Sequence, residues 1–232
     1  MPLRDTLLNL AITCVLVLVV ALVAMFLRSH RSVPLAIPIP IAKPVAAGTE
    51  TTPASGPAMR PVADRFLAFP KAELIESASN EADTFRLRVG GEQHIFVLYF
   101  VDALDATLTH PQRVDEQALY FGKTTRETAV AAGRAALDYV RSLLKAHPFT
   151  VLTRWERVPN LDRYYALILV EYEPGKRAYL ADLLVKNGYA RMGSLTTPLP
   201  DDKRTPESYA RELNDYAKYA REHKLGIWAA LK

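Results

Sequence analysis

Three aspartates bracket one stretch of this chain and belong to a residue type that binds hard cations. Asp83 begins the segment, and Asp102 and Asp105 lie at its other end. Carboxylate oxygens that gather from separate positions are the ligands that calcium prefers in proteins. If the chain between them folds back on itself, the sequence predicts a cation site where the two ends of the segment meet.

The segment has the pattern of a β-hairpin, which would bring its ends together. From residue 85 to 89, apolar residues alternate with arginines, as in a half-buried strand. Gly90 and Gly91 follow, and glycine takes the positive φ of a tight hairpin turn without strain. Residues 95–101 are almost wholly apolar, which is typical of a strand buried on both faces. We therefore expect Asp83 and the pair at 102 and 105 to lie side by side.

Length and composition limit the classes of function. The chain has 232 residues and a formal net charge of +4, which is room for one domain of roughly 150 residues and extra segments. This mild excess of positive charge permits an anionic partner without requiring one. Cys14 is the single cysteine and lies in the apolar N-terminal run, so a disulfide framework, a CxxC zinc site and a catalytic cysteine are excluded elsewhere. No two of the five histidines have the i,i+3 or i,i+4 spacing of a helical zinc site.

The N-terminal part predicts a membrane anchor and a spacer. The run from Leu7 to Leu27 carries no formal charge, and about 20 apolar residues span a bilayer as a helix. We interpret residues 1–31 as a transmembrane anchor and residues 32–65, rich in proline, as an extended linker. A cleaved signal peptide is the alternative. The prediction is a single-pass membrane protein of the bacterial inner membrane. Its few flanking charges leave open the side on which the soluble domain lies.

The folded part, residues 66–232, predicts short strands and helices. We expect a loop over 105–121, broken by His110-Pro111, and a helix over 125–145 whose apolar residues recur at helical spacing. Strands over 149–155 and 163–172 and a helix over 178–187 are expected to follow. Thr205 followed by Pro206 is a typical N-cap and first residue of a final helix. A hairpin this apolar needs cover on both sides, so the pattern favours an α+β domain with a small, strongly curved barrel.

Several segments, taken in order, resemble the thermonuclease (staphylococcal-nuclease-like) family. The residues that carry the resemblance run from Ser77 to Trp228, and they are Asp83-Thr84, LYFVDALD at 98–105, RYYA at 163–166, LADLLVKNGYA at 180–190, Ala217, Ala220 and LGIW at 225–228. The resemblance implies an α+β fold: a small OB-fold-type β-barrel with three helices, here preceded by one transmembrane helix and a Pro-rich linker.

The resemblance also implies calcium-dependent hydrolysis of phosphodiester bonds in DNA or RNA. In such a site, Asp83 and Asp102 would hold Ca²⁺, with the carbonyl of Ala103 as a further ligand. Asp105 takes the place of the glutamate that activates the attacking water, and Arg163 matches an arginine that grips the phosphate. Calcium and guanidinium groups would neutralise the charge that develops on the phosphate oxygens.

Departures from the family pattern point to weakened activity. Val97 occupies the place of a second arginine and has no charge to offer. Losing a preorganised charged donor costs on the order of 10²–10³ in rate. Asp105 is one methylene shorter than glutamate, Leu104 replaces the usual proline, and Ser194 and Thr196 stand near the places of the family's stacking tyrosines.

Two alternatives to a calcium-dependent nuclease stay open. One is a catalytically inactive module that binds nucleic acid or a protein partner at the membrane. In the other, the aspartates only stabilise turns and Arg163 only pairs with Asp162 or Glu171 on the surface, which is worth little free energy. Neither oligomeric state nor the choice between DNA and RNA follows from the sequence.

Overall fold

The computed structural model describes residues 62–200 and 203–231. The predicted anchor at 1–31, and the predicted linker as far as residue 61, lie outside these residues. Among the residues that are described, no helix combines the length and apolar character needed to cross a bilayer.

Within these residues the chain forms nine strands, four α-helices and one 3₁₀ helix. The strands are β1 (Leu67–Phe69), β2 (Glu73–Leu74), β3 (Thr84–Val89), β4 (Glu92–Leu98), β5 (Val101–Ala103), β6 (Phe149–Thr153), β7 (Tyr164–Glu173), β8 (Lys176–Tyr179) and β9 (Ala190–Met192). The helices are α1 (Pro111–Tyr120), α2 (Arg126–Ala146), α3 (Leu180–Lys186) and α4 (Pro206–Glu222), followed by the 3₁₀ helix Gly226–Ala230.

The predicted OB-type barrel with three helices is wrong. Seven of the described strands form an open mixed sheet in the order β1-β6-β7-β4-β3-β2, with β8 paired to β7, while β5 and β9 form a separate two-stranded sheet. The order ends at β1 and β2, strands of three and two residues that pair with only one neighbour each. Because these short edge strands do not pair with each other, the sheet does not close on itself. The helix count is also four rather than three.

The apolar run at 95–101 does not form one continuous strand, and this break explains the separate small sheet. β4 ends at Leu98, and Phe100 has a φ of 71°, a left-handed conformation that interrupts the ladder. The chain resumes as β5, which pairs antiparallel with β9. The hairpin itself forms as predicted, with Gly90 at φ 61° and Gly91 at φ 90°. In its register, Thr84 lies opposite Val97.

The helix boundaries follow ordinary capping chemistry. The side chain of Thr125 accepts a hydrogen bond from the backbone N–H of Thr128 at the start of α2, and Thr205 does the same for Ser208 at the start of α4. The helix α1 lies where a loop was predicted, because Pro111 is interpreted from the sequence as a residue that interrupts regular structure. Proline at the first helical position instead favours a helix start, since the N–H that it lacks would have no partner within the helix.

Two apolar clusters hold the elements together. The larger one packs the sheet against α2, α3 and α4, and its helical members include Val140, Leu184 and Leu213. The smaller one joins α1, α2 and the 3₁₀ helix through buried side chains, which are Leu104, Val114, Ala118, Phe121, Ala129, Val130 and Ile227. This second cluster fixes α1 beside β5 and the loop that follows it, which carry Asp102 and Asp105.

A candidate site: the acid cluster and its cleft

The structure brings Asp83, Asp102 and Asp105 together, and we call these three residues the acid cluster. Asp83 immediately precedes β3 and is 4% exposed. Its Oδ2 accepts a hydrogen bond of 2.7 Å from the backbone N–H of Ala103, and its Oδ1 accepts one of 3.0 Å from Thr84. The first bond crosses from one end of the hairpin to the other, so it ties β3 to β5.

A guanidinium group that the sequence did not reveal lies between the three carboxylates. Nη2 of Arg113 donates to Asp102 Oδ1 at 2.6 Å, and Nε donates to Asp105 Oδ1 at 2.8 Å. The same Nη2 lies 3.7 Å from Asp83 Oδ2. On the other side of Asp102, Nε of Arg191, in β9, donates to Oδ2 at 2.6 Å. Two arginines of the same chain are therefore paired with the acid cluster.

Gln117, one helical turn after Arg113, completes the hydrogen-bond network around Asp105. It is fully buried, and its amide nitrogen donates to the carbonyl of Ala103 at 2.8 Å and to Asp105 Oδ1 at 3.2 Å. Its amide oxygen accepts from the backbone N–H of Asp105 at 3.0 Å. The polar groups around Asp105 thus find protein partners away from water.

The pKa values of Asp83 and Arg113 are both raised, but for different reasons. Desolvation raises the pKa of Asp83 to about 7, although the hydrogen bond from Ala103 and the charge of Arg113 pull it down. Burial alone would lower the pKa of Arg113, but the charges of Asp102, Asp83 and Asp105 outweigh it and raise that pKa. Arg113 therefore stays charged, while Asp83 exchanges its proton near neutral pH.

The donor set does not fit calcium as it is arranged. Asp102 is engaged on one oxygen by Arg113 and on the other by Arg191, and Asp105 is held by Arg113 and Gln117. The carbonyl of Ala103, the predicted extra ligand, accepts a hydrogen bond from Gln117 instead. Among the described residues, no group of three or more acidic, His or Cys side chains is disposed to hold a metal ion. The predicted cation position is thus next to two fixed positive charges.

A cleft of about 1100 Å³ opens beside the acid cluster. Its lining includes charged residues of the acid cluster and its arginines together with apolar and aromatic residues, which are Asp83, Asp102, Arg113, Arg191, Arg163, Val97, Tyr165, Val158 and Leu161. Glu81 also lines the cleft, and desolvation followed by the charge of Asp105 raises its pKa. Asp105, the predicted base, is 5% exposed and is not among the lining residues.

The predicted phosphate-binding arginine lies in this cleft but outside the acid cluster. Arg163 immediately precedes β7, and its side chain makes no hydrogen bond or ion pair within residues 62–200 and 203–231. The predicted pairing of Arg163 with Asp162 or Glu171 is not formed, because those carboxylates bond to Arg157 and Arg177.

The cleft lining is apolar and aromatic at Val97, the place that the resemblance assigns to a second arginine. Val97 in β4 lies directly opposite Tyr165 in the parallel ladder with β7. The Tyr165 ring is stacked on Tyr99, with centroids 5.1 Å apart and planes inclined by 28°. The cleft therefore offers one unpaired cation beside an aromatic surface.

Sequence reasoning missed Arg113, Gln117 and Arg191. The signal for the first two was present, since Arg113 and Gln117 have i,i+4 spacing on a helix that begins at Pro111, beside the buried Val114. Arg191 had no local signal, because it reaches Asp102 only through the pairing of β5 with β9, some ninety residues apart in sequence.

A second buried carboxylate shows that a raised pKa does not by itself identify a functional site. Asp182 in α3 accepts a 2.6 Å hydrogen bond from the Tyr209 hydroxyl and one of 3.1 Å from the backbone N–H of Tyr179. Burial raises its pKa to about 7, the same value as for Asp83, although it lies in the core and not in the cleft.

Asp182→Asn is expected to flatten the pH dependence of stability. The folded pKa of Asp182 is raised above its ordinary value, so its contribution is fully present below about pH 4 and is lost as the pH rises through about 7. In that window, one such group lowers the free energy of unfolding by up to about 1.4 kcal/mol per pH unit. Urea unfolding of the wild type and variant at pH 4.5 to 7.5 measures the difference in slope. Asp138→Asn, at an exposed position of α2, is the control and should keep the wild-type slope; an unchanged slope in Asp182→Asn would contradict the assignment.

Comparison with known proteins gives no family for this chain. No protein-family model matches the sequence, and no curated protein is significantly similar to it. The thermonuclease resemblance therefore stays a prediction from the quoted segments.

Proposed function

We propose that the described domain is a non-catalytic module that binds single-stranded nucleic acid in the cleft beside the acid cluster. The observation that carries this proposal is Arg163, whose guanidinium makes no direct hydrogen bond or ion pair among the described residues, although Glu81 lies close enough to feel its charge, on the same cleft as the stacked ring of Tyr165. Sequence-independent binders of single strands combine these two features: a positive group for a phosphate and an aromatic face for a base.

The charge balance of the cleft supports weak binding. Four carboxylates line it, those of Glu81, Asp83, Asp102 and Glu116, against the guanidiniums of Arg113, Arg163 and Arg191. Two of these arginines are already paired with the acid cluster, so one phosphate contact is available. We expect a dissociation constant of about 10⁻⁴ to 10⁻⁵ M at moderate salt, within the range of non-specific binding.

Calcium-dependent hydrolysis is the competing function, and one observation favours it: the acid cluster that the resemblance requires does gather in space. Three observations weigh against it. Arg113 and Arg191 hold the carboxylates, Asp105 is not among the residues that line the cleft, and Val97 provides no charge. We therefore expect no calcium-stimulated digestion of single-stranded DNA at high protein concentration. Digestion that requires calcium and stops with chelator would replace the binding proposal by the enzymatic one.

Arg163→Ala is expected to weaken binding of a labelled twelve-residue oligothymidylate by about tenfold. The loss of one phosphate contact should also make the slope of log K against log salt less negative by about 0.7, since each contact with a single strand releases about that many counter-ions. Fluorescence anisotropy between 20 and 200 mM salt (~7–20 Å of screening length) measures both quantities. Arg86→Ala is the matched control, because Arg86 lies in β3 outside the cleft lining and has no side-chain partner among the described residues. Equal effects of the two substitutions would place the ligand elsewhere.

A further inference from the structure

The acid cluster has the ligand types of a cation site, and a side chain of the chain itself fills it. Arg113 contacts Asp102 and Asp105 with charge-assisted hydrogen bonds of 2.6 and 2.8 Å, and it lies 3.7 Å from Asp83. One guanidinium thus reaches all three carboxylates. Carboxylate oxygens are also the ligand type that a hard divalent ion takes.

The packing of α1 restricts the position of the Arg113 guanidinium. Val114 and Gln117, one and four residues after Arg113 in α1, are fully buried. The exposed face of the same helix is tied to α2 by Arg126, whose Nε and Nη2 bond both oxygens of Asp115 at 2.5 and 2.6 Å. A helix anchored on two faces presents Arg113 to the acid cluster with little freedom, although the side chain itself is 41% exposed.

The charges around the acid cluster determine whether a guanidinium or a metal ion occupies it. With Arg113 and Arg191 in place, a divalent ion would enter beside two positive groups and would have to displace at least one of them. Without Arg113, the carboxylates keep only Arg191, on the far oxygen of Asp102. Two of the three carboxylates are about 5% exposed, so the unbalanced negative charge would lie away from water, where it attracts a cation most strongly.

We infer that Arg113 is the permanent counter-ion of the acid cluster, that it makes the domain independent of metal ions, and that removing its charge converts the cluster into a site for a divalent cation such as Ca²⁺. The inference is independent of any nucleic-acid ligand, since it concerns stability and ion binding alone.

The test compares the thermal unfolding of full-length wild type, Arg113→Ala and Arg126→Ala, all kept in a mild non-ionic detergent. Each is measured with chelator, with calcium chloride at a few millimolar, and with sodium chloride of equal ionic strength. Arg126→Ala is the matched control, because it frees an exposed carboxylate, Asp115, without emptying the acid cluster.

In Arg113→Ala we expect a lower melting temperature in chelator and a rise of about 5 °C on adding calcium, because an ion that binds only the folded state stabilises it. Wild type and Arg126→Ala should shift by less than about 1 °C. A calcium shift in the wild type as large as that in Arg113→Ala overturns the inference, and so does a folded Arg113→Ala that ignores calcium.

Two further variants keep the test decisive if Arg113→Ala does not fold. Arg113→Gln removes the charge and keeps a hydrogen-bonding side chain of similar reach, so it should gain the calcium response. Arg113→Lys keeps the charge and should not gain it. A calcium response in the lysine variant, or none in the glutamine variant, overturns the inference.

Discussion

Replacing Gln117 by leucine is expected to lower the free energy of unfolding by about 3–5 kcal/mol, the largest effect of any substitution considered for this domain. Gln117 is fully buried and serves three polar groups at once: the carbonyl of Ala103, and the backbone N–H and carboxylate of Asp105. Leucine has a similar volume but leaves the carbonyl of Ala103 and the backbone N–H of Asp105 without their Gln117 partner in a buried site, and it leaves the Asp105 carboxylate with Arg113 alone. Each abandoned buried group costs about 1–3 kcal/mol, with more for a charged one.

Urea unfolding at neutral pH measures this loss. Gln112→Leu is the matched control, because the same change is made on the same helix at an exposed position, where the effect should stay within about 0.5 kcal/mol. If Gln117→Leu were as stable as the control, the network below the acid cluster would not exist as described.

Gly133→Ala is expected to cost about 2 kcal/mol or more, against the ordinary preference of helices for alanine. Gly133 lies in α2, where the helix meets the backbone of the loop after β5. A Cβ at this position would lie 2.5 Å from the carbonyl carbon and still closer to the carbonyl oxygen of Asp105, and 2.7 Å from the carbonyl oxygen of Leu104. These are backbone atoms, so relief requires α2 or the loop to move. Such a movement would also separate Asp105 from Arg113.

The comparison that isolates this clash uses Ala131→Gly, at an exposed position of the same helix. There the change should cost about 1 kcal/mol through helix propensity alone. Calorimetry or urea unfolding of the two variants measures both effects. A Gly133→Ala protein more stable than the wild type, as propensity alone predicts, would show that the close approach of α2 to the loop is wrong.

The parts of the fold that the sequence predicts are those governed by local patterns. The hairpin follows from residues 85–89 and from Gly90-Gly91, because alternation and turn chemistry act within a few residues. Helix α2 follows from its apolar periodicity, and α4 follows from Thr205 and Pro206. Each agrees with the structure to within a few residues.

The parts that local patterns do not determine are where prediction failed. The prediction of a barrel was wrong because closure depends on whether the two edge strands pair with each other, which no local pattern determines. In addition, Phe100 adopts a positive φ within an apolar run that looks continuous in the sequence. The helix α1 was missed because Pro111 was taken to end structure rather than to begin it. Since Arg113 and Gln117 lie on α1, missing this helix also left the guanidinium between the carboxylates unpredicted.

The chemistry of this domain therefore depends on what occupies the space between Asp83, Asp102 and Asp105. A crystal structure grown from solutions containing several millimolar calcium tests this directly. We predict that Nη2 and Nε of Arg113 still bond to Asp102 and Asp105, with no ion between the carboxylates. A calcium ion coordinated by Asp83 and Asp102, with Arg113 displaced into the cleft, would contradict the account and restore the metal-dependent hydrolase.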